Sequence, residues 1–196
     1  MSSMIDMVGA AILFGVLILA VGRVQGNLNQ TMAQNTFNLN TQSEAIYVAR
    51  LIEYEVSKAG YGVTGSKISV ADDQSIAFKG AMTFGGAVDS VAYYIGEADT
   101  TTMNPNDFRF VRYAQSSGAL SQRLVMTQFA ISYFDSSNTK MTTPVTGNDL
   151  KSIRSINVKF RVESAEPVTD ASTGLSNYNA VSWEKLIYPR NLGKPY

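Results

Sequence analysis

An almost unbroken apolar run from Met7 to Val24 is the feature that most constrains how this chain can fold. A second stretch, from Asn27 to Ala59, contains neither Gly nor Pro, so one helix can continue through both. A helix that is apolar on every side needs apolar neighbours all around it. The sequence therefore predicts a chain that starts in a bilayer or in a bundle of subunits and carries a soluble domain outside it.

The length of the chain limits it to one globular domain. Its 196 residues suffice for one unusually long helix and one domain of ordinary size, but not for two domains with separate cores. We predict three segments: a hydrophobic assembly or transmembrane helix over residues 1–26, an amphipathic continuation of that helix over 27–62, and a globular antiparallel β-domain over 63–196.

Composition argues against several classes of function. The 16 basic and 16 acidic residues balance, so no net positive charge favours nucleic-acid binding. The sequence has no Cys and no His, which removes thiolate chemistry, the commonest general base and the commonest transition-metal ligand. Adjacent acids such as Asp72 and Asp73 fit solvated turns. We expect no enzymatic activity, no catalytic residues, no bound metal and no cofactor.

The N-terminal run has three possible interpretations. A cleavable secretory signal needs a basic start, and residues 1–7 contain neither Lys nor Arg. A plain membrane anchor fits the length of the segment from Met4 to Val24, although Asp6 near its start and Arg23 near its end oppose the usual positive-inside orientation. The third interpretation is an assembly helix that leaves the membrane when subunits pack together.

Asp6 stands just inside the start of the apolar run. A buried carboxylate there would be costly unless it met a positive partner, such as the α-amino group of a neighbouring chain. Alternatively, Asp6 is an interfacial residue that favours the positive end of the helix dipole. The sequence leaves both roles open.

The second half of the helix carries a buried face. Ala45, Val48, Ala49, Ile52, Val56 and Ala59 recur at helical spacing, whereas the charged residues between them point mostly elsewhere. We predict that these six residues pack against the β-domain. Gly60 and Gly62 then provide the end of the helix.

The remainder of the chain changes to the alternating pattern of antiparallel strands. The predicted strands are Lys67–Val70, Ser75–Phe78, Val88–Ile95, Phe108–Tyr113, Leu124–Phe134, Ile153–Glu163 and Val181–Tyr188. The polar stretch Glu166–Asn179 is predicted to be an exposed excursion and a candidate contact surface. The predicted fold class is therefore α+β, with the apolar half of the helix protruding and its second half packed under an antiparallel sheet.

Three segments resemble the subunits of type IV filaments, the pilins and type II secretion pseudopilins. LIEYEVSKAGYG, from Leu51 to Gly62, resembles the helix end of the larger minor pilins and J-type pseudopilins. Their penultimate hairpin is similar to two segments, FAISYFDSSN, from Phe129, and LKSIRSINVKFRVES, from Leu150. The segment IYPRNL, from Ile187, resembles the C-terminal end of those chains. The family's usual processing motif, Gly followed by Phe-Thr-Leu-Ile-Glu, is absent, and Asp6 would take the place of its Glu.

The resemblance implies a structural subunit of a type IV pilus-like filament. It implies that Asp6 neutralises a neighbour's N-terminus and that the apolar helix packs in a filament core. The assembly residues that we expect are Asp6, Met7, Ile12, Leu13, Phe14, Leu17, Ile18, Leu19 and Val21. The implied partners are copies of this chain or related subunits, the inner membrane before assembly, and a secretion or pilus assembly machinery, and the filament would be extracellular or periplasmic.

Two alternatives stay open at this point. The chain could be a monomeric, membrane-anchored β-domain that acts as an adhesin or an envelope scaffold. It could also be a minor pseudopilin of a type II secretion system. The sequence does not distinguish a major from a minor subunit, nor adhesion, motility, secretion and DNA uptake from one another.

Overall fold

Residues Ser2–Ser57 form one α-helix, α1, in a computed structural model of the chain. The structure describes residues 2–83, 86–120, 125–169 and 175–194. The chain divides into two compact units, Met1–Asn40 and Thr41–Tyr196. The first unit consists of the N-terminal part of α1, and the second contains the rest of α1 together with the strands. The segment boundaries proposed from the sequence at residues 26 and 62 stay predictions.

The first sheet of the second unit has six antiparallel strands. Its central path runs β1-β2-β3-β4-β5, and β6 pairs with β4 beyond that path. The strands are β1 (Ile68–Ala71), β2 (Ser75–Ala81), β3 (Val88–Ala98), β4 (Phe108–Ala114), β5 (Gly118–Leu120) and β6 (Val125–Met126). Consecutive strands are neighbours because short turns of polar residues and Gly connect them.

The second sheet has three antiparallel strands in the order β11-β8-β7. They are β7 (Gln128–Phe134), β8 (Ser155–Glu163) and β11 (Ala180–Ile187), and a 3-10 helix, Gly147–Ser152, precedes β8. A short hairpin of β9 (Val168–Thr169) and β10 (Ser176–Asn177) occupies the predicted excursion, whose residues 170–174 lie outside the described part. Six of the seven predicted strands occur with shifted ends, and β5, β9 and β10 were not predicted.

One strand prediction is wrong. The sequence predicted a single strand from Leu124 to Phe134, but the segment changes sheets at Thr127: β6 pairs with β4, whereas β7 pairs with β8. The Thr127 amide donates a hydrogen bond to the Arg161 carbonyl at 2.9 Å, outside the regular ladder. At Thr127 the alternation of buried and exposed side chains shifts by one residue, and Met126 is buried as a result. Leu124 itself lies outside the described residues.

The core lies between the two sheets and the C-terminal part of α1. An aromatic series crosses it, with ring centroids 6.5 Å apart for Phe78 and Tyr93, 5.6 Å for Tyr93 and Phe110, and 5.1 Å for Phe110 and Phe129. Phe110 belongs to β4 and Phe129 to β7, so this contact joins the two sheets. The architecture is α+β, a long N-terminal helix followed by antiparallel sheet, as predicted.

Candidate assembly segment and its support

The apolar run of the first unit is exposed along its whole length. The large apolar side chains from Met4 to Val24 are between 54% and 76% accessible to solvent. The predicted assembly residues are all among the exposed ones: Asp6, Met7, Ile12, Leu13, Phe14, Leu17, Ile18, Leu19 and Val21. A soluble monomer rarely exposes a contiguous apolar surface of this extent, so the segment needs a cover.

That cover has to reach every side of the helix. At 100° per residue, Ile12, Leu13 and Phe14 point in three different directions, and Leu17, Ile18 and Leu19 do so again one to two turns later. A one-sided contact would leave half of these side chains in water. Lipid, or several packed helices, can surround them all, and α1 contains a segment long and apolar enough to cross a bilayer.

Asp6 is exposed, and it has no hydrogen-bond or ion-pair partner among the residues that the structure describes. Its carboxylate is therefore available to a group outside this chain.

The helix continues beyond the apolar run through a polar stretch. Thr31 Oγ1 donates to the Asn27 carbonyl and Thr36 Oγ1 to the Met32 carbonyl, each at 2.9 Å. Such bonds to the residue four positions earlier satisfy the hydroxyl within the helix. Leu28 and Met32 are 57% and 67% exposed, so this stretch also presents apolar groups without a cover in the first unit.

The helix face that the sequence assigned to packing is buried within the second unit. Ala45, Val48, Ala49, Ile52, Val56 and Ala59 are each at most 8% exposed. They form one core with residues from both sheets. Small side chains at Ala45 and Ala49 allow the helix to lie close to the strands, and Ala59 lies in the turn that follows α1.

A buried ion pair connects α1 to the first sheet. Arg112 of β4 donates to Glu55 of α1 through Nε, at 2.9 Å from Oε2, and through Nη2, at 2.5 Å from Oε1. The Tyr93 hydroxyl donates to the same carboxylate. The hydrogen bond to Glu55 raises the pKa of Arg112, and burial together with Glu55 raises the pKa of Tyr93. Arg112 and Tyr93 therefore keep their protons across the physiological range.

The chain leaves α1 through a tightly packed turn. Gly60 and Gly62 have φ values of +80° and +71°, as expected for residues that end a helix, and the Gly60 amide donates to the Lys79 carbonyl of β2 at 2.8 Å. Lys67, only 2% exposed, lies against this turn and donates to the carbonyls of Asn191 and Lys194. Burial, followed by Arg154 and Lys194, lowers its pKa.

Sequence reasoning missed the Glu55–Arg112 pair and the buried Lys67. A lone acid on a helix and a lone base on a strand look the same in sequence whether they pair or face water, because the contact joins positions 57 residues apart. One available signal was that Glu55 lies directly beside Val56, on the apolar face of the helix. No group of three or more His, Cys, Asp or Glu side chains within the described ranges could hold a metal ion.

Comparison with known proteins supports the fold. No family model and no curated protein sequence matches this chain. A solved structure of a type IV-like pilin from Thermus thermophilus is similar to it, with a TM-score of 0.52 and 12% sequence identity, over 78% of this chain and 97% of that one. A structural similarity at an identity this low is informative about architecture alone. We conclude from it that the chain has a type IV pilin-like fold.

Proposed function

We propose that this chain is a structural subunit of a type IV pilus-like filament and performs no chemistry. One observation carries the proposal: an apolar helical segment, exposed on all sides, begins a chain with a pilin-like fold. Copies of this chain or related subunits would surround the segment in the assembled filament. An inner membrane would surround it before assembly.

Hydrophobic packing supplies the stability of such a filament. Each large apolar side chain is worth roughly 1.5–3 kcal/mol when it is removed from water. Transfer from lipid to a helix bundle gains far less, because lipid is already apolar. Extraction from the membrane would therefore need external work, which we assign to an assembly machinery. The finished filament would lie in the periplasm or outside the cell.

The second unit would supply the outer surface of the filament. Its core buries the packing face of α1 and both sheets against each other. We therefore expect it to fold without a partner, whereas the apolar segment needs one. A substitution in the apolar segment can therefore block assembly while the second unit still folds.

Leu17→Lys tests the proposal. Leu17 is 59% exposed and lies within the apolar run, so the substitution leaves the core of the second unit untouched. A lysine at the centre of a membrane helix costs about 2.5–3.5 kcal/mol, and an unpaired charge in a helix bundle costs several kcal/mol. We expect membrane-associated, folded protein and no filaments, scored by electron microscopy of sheared material.

Two controls sharpen this experiment. Leu17→Met keeps the position apolar and should assemble normally. A chain in which the residues from Met7 to Val24 are shuffled at constant composition should still enter the membrane, but should not polymerise if packing between helices matters. Normal filaments from Leu17→Lys would contradict the proposal, and unaltered behaviour of the shuffled chain would support the monomeric anchored domain instead.

A further inference from the structure

Asp107 is a buried acid with an unsatisfied oxygen. The residue is 1% exposed, and its Oδ2 accepts a hydrogen bond from Thr102 Oγ1 at 2.8 Å. Its Oδ1 is buried and has no hydrogen-bond partner among the described residues. A charged oxygen without a donor is much more costly to bury than a neutral carboxyl group. The surroundings of Asp107 therefore fit the protonated form better than the ionised form.

The loop that carries Asp107 is fastened to the end of β8 and to the excursion that follows. This loop, residues 99–107, connects β3 to β4. Asn104 Nδ2 donates to Glu163 Oε2 at 2.9 Å, and the Met103 amide donates to the Ala165 carbonyl at 3.0 Å. The Tyr178 hydroxyl donates to the Met103 carbonyl at 2.9 Å. These three bonds hold the loop closed against a neighbouring segment.

The charged groups around Asp107 oppose its ionisation. Glu163 of β8 and Asp99, the first residue of the loop, are the acids that act on it. Each of these acids has an arginine partner of its own, because Arg161 binds Glu163 at 2.8 Å and Arg109 lies 3.4 Å from Asp99. The carboxyl group of Asp107 thus faces two other acids, with Thr102 as its own hydrogen-bond donor.

We propose that the 99–107 loop is a pH-sensitive latch. With the carboxyl group of Asp107 protonated and therefore neutral, the loop stays closed against Glu163 of β8, Ala165 and Tyr178, and loss of that proton to solvent loosens the loop. The surface that would change carries the side chain of Met103, which is 70% exposed. The inference stands independently of filament assembly, since it concerns contacts within the second unit.

The direction of the pH dependence follows from the same contacts. Burial raises the pKa of Asp107, the hydrogen bond from Thr102 opposes this, and Glu163 and Asp99 add to it. A raised pKa means that the closed loop binds the proton more tightly than the open loop does. The stabilisation is therefore complete below the pKa of an ordinary aspartate, about 3.9, and is lost as the pH rises through the pKa of the closed state.

Hydrogen–deuterium exchange of the full chain in detergent micelles tests the latch. Exchange is followed by mass spectrometry from about pH 4 to about pH 8, and rates are converted to protection factors to remove the intrinsic pH dependence. We expect protection of peptides covering the loop to fall with rising pH, by at most about tenfold for each pH unit by which the pKa of Asp107 exceeds that of an ordinary aspartate. Peptides covering the hairpin of β1 and β2 serve as the internal reference.

Asp107→Asn and Asp135→Asn form the matched pair of variants. Asparagine at 107 is neutral at every pH, so the loop should stay protected where the unaltered chain loses protection. Asp135 Oδ1 already accepts hydrogen bonds from the amides of Ser137 and Thr139, and its substitution should leave the profile of the 99–107 loop unchanged. If Asp107→Asn does not fold, carboxyl-carbon NMR titration of the unaltered chain replaces it and should show Asp107 titrating above ordinary aspartates.

Several results would overturn the inference. Protection of the loop that is constant with pH, or that falls equally in Asp107→Asn, would show that this proton does not control the loop. Full protection at neutral pH with millimolar Ca²⁺, abolished by a chelator, would show that a cation and not a proton neutralises the carboxylate. In the NMR experiment, an Asp107 that titrates with the exposed aspartates would have the same consequence.

Discussion

Arg112 and Glu55 form a bidentate ion pair between the first sheet and α1, with side chains only 13% and 5% exposed. Both side chains are largely shielded from water, so each charge is stabilised mainly by the other. Tyr93 provides a third hydrogen bond to the carboxylate. The pair therefore joins α1 to β4 by two hydrogen bonds within the second unit.

Arg112→Met should therefore destabilise the chain by about 3 kcal/mol, because it leaves the Glu55 carboxylate buried without a cation. Adding Glu55→Gln should recover most of that loss. Urea unfolding of the full chain in detergent, followed by the fluorescence of Trp183, measures both effects.

The exposed pair between Lys185 and Glu53 is the matched control, since it also joins α1 to a strand but both side chains are more than 40% exposed. Lys185→Met should cost less than about 1 kcal/mol. Equal losses for Arg112→Met and Lys185→Met would show that burial of the Glu55 pair has no energetic consequence.

Gly60→Ala and Gly65→Ala separate crowding from backbone strain. Both residues have positive φ, +80° and +104°, so alanine is strained at each. A Cβ at Gly60 would lie 2.9 Å from Lys67 Cδ and 3.3 Å from the Asn191 backbone, whereas a Cβ at Gly65 has open space around it. We expect a loss of about 1 kcal/mol for Gly65→Ala and a clearly larger loss for Gly60→Ala. Thermal unfolding that shows the reverse order would contradict the packing of this turn.

Asp6 distinguishes a filament subunit from an anchored monomer. If its carboxylate pairs with a neighbouring chain's amino group in an apolar bundle, Asp6→Ala leaves that amino group unpaired at a cost of several kcal/mol, and the amount of filament should fall at least about tenfold. Asp6→Glu keeps the charge and should retain more filament. Asp149→Ala, another exposed aspartate, is the control and should have no effect. An anchored monomer predicts no change in membrane content for any of the three.

Local pattern was sufficient for much of the fold. The apolar run and the helical spacing of Ala45, Val48 and Ile52 each report on one element, and a period is visible without knowledge of the partner. Strand alternation likewise predicted β8 almost residue by residue. The resemblance to pilins predicted the order of helix and sheet, which the solved pilin structure supports at the level of fold.

Long-range relationships were not predictable in the same way. The change of sheet at Thr127 depends on which strand accepts each half of the segment, and the hydrophobic pattern of the two halves is continuous. The burial of Lys67 depends on carbonyls of Asn191 and Lys194, more than 120 residues away. Asp107 in turn looks like an ordinary loop aspartate until Thr102, Asn104 and Glu163 are placed around it.

Electron microscopy of filaments sheared from the source cells, with mass spectrometry of their subunits, tests the central claim most directly. We expect thin filaments that contain this chain, with an N-terminus that leaves Asp6 near the start of the mature subunit. Recovery of the chain only from the membrane fraction, as a monomer and with no filament containing it, would contradict the claim.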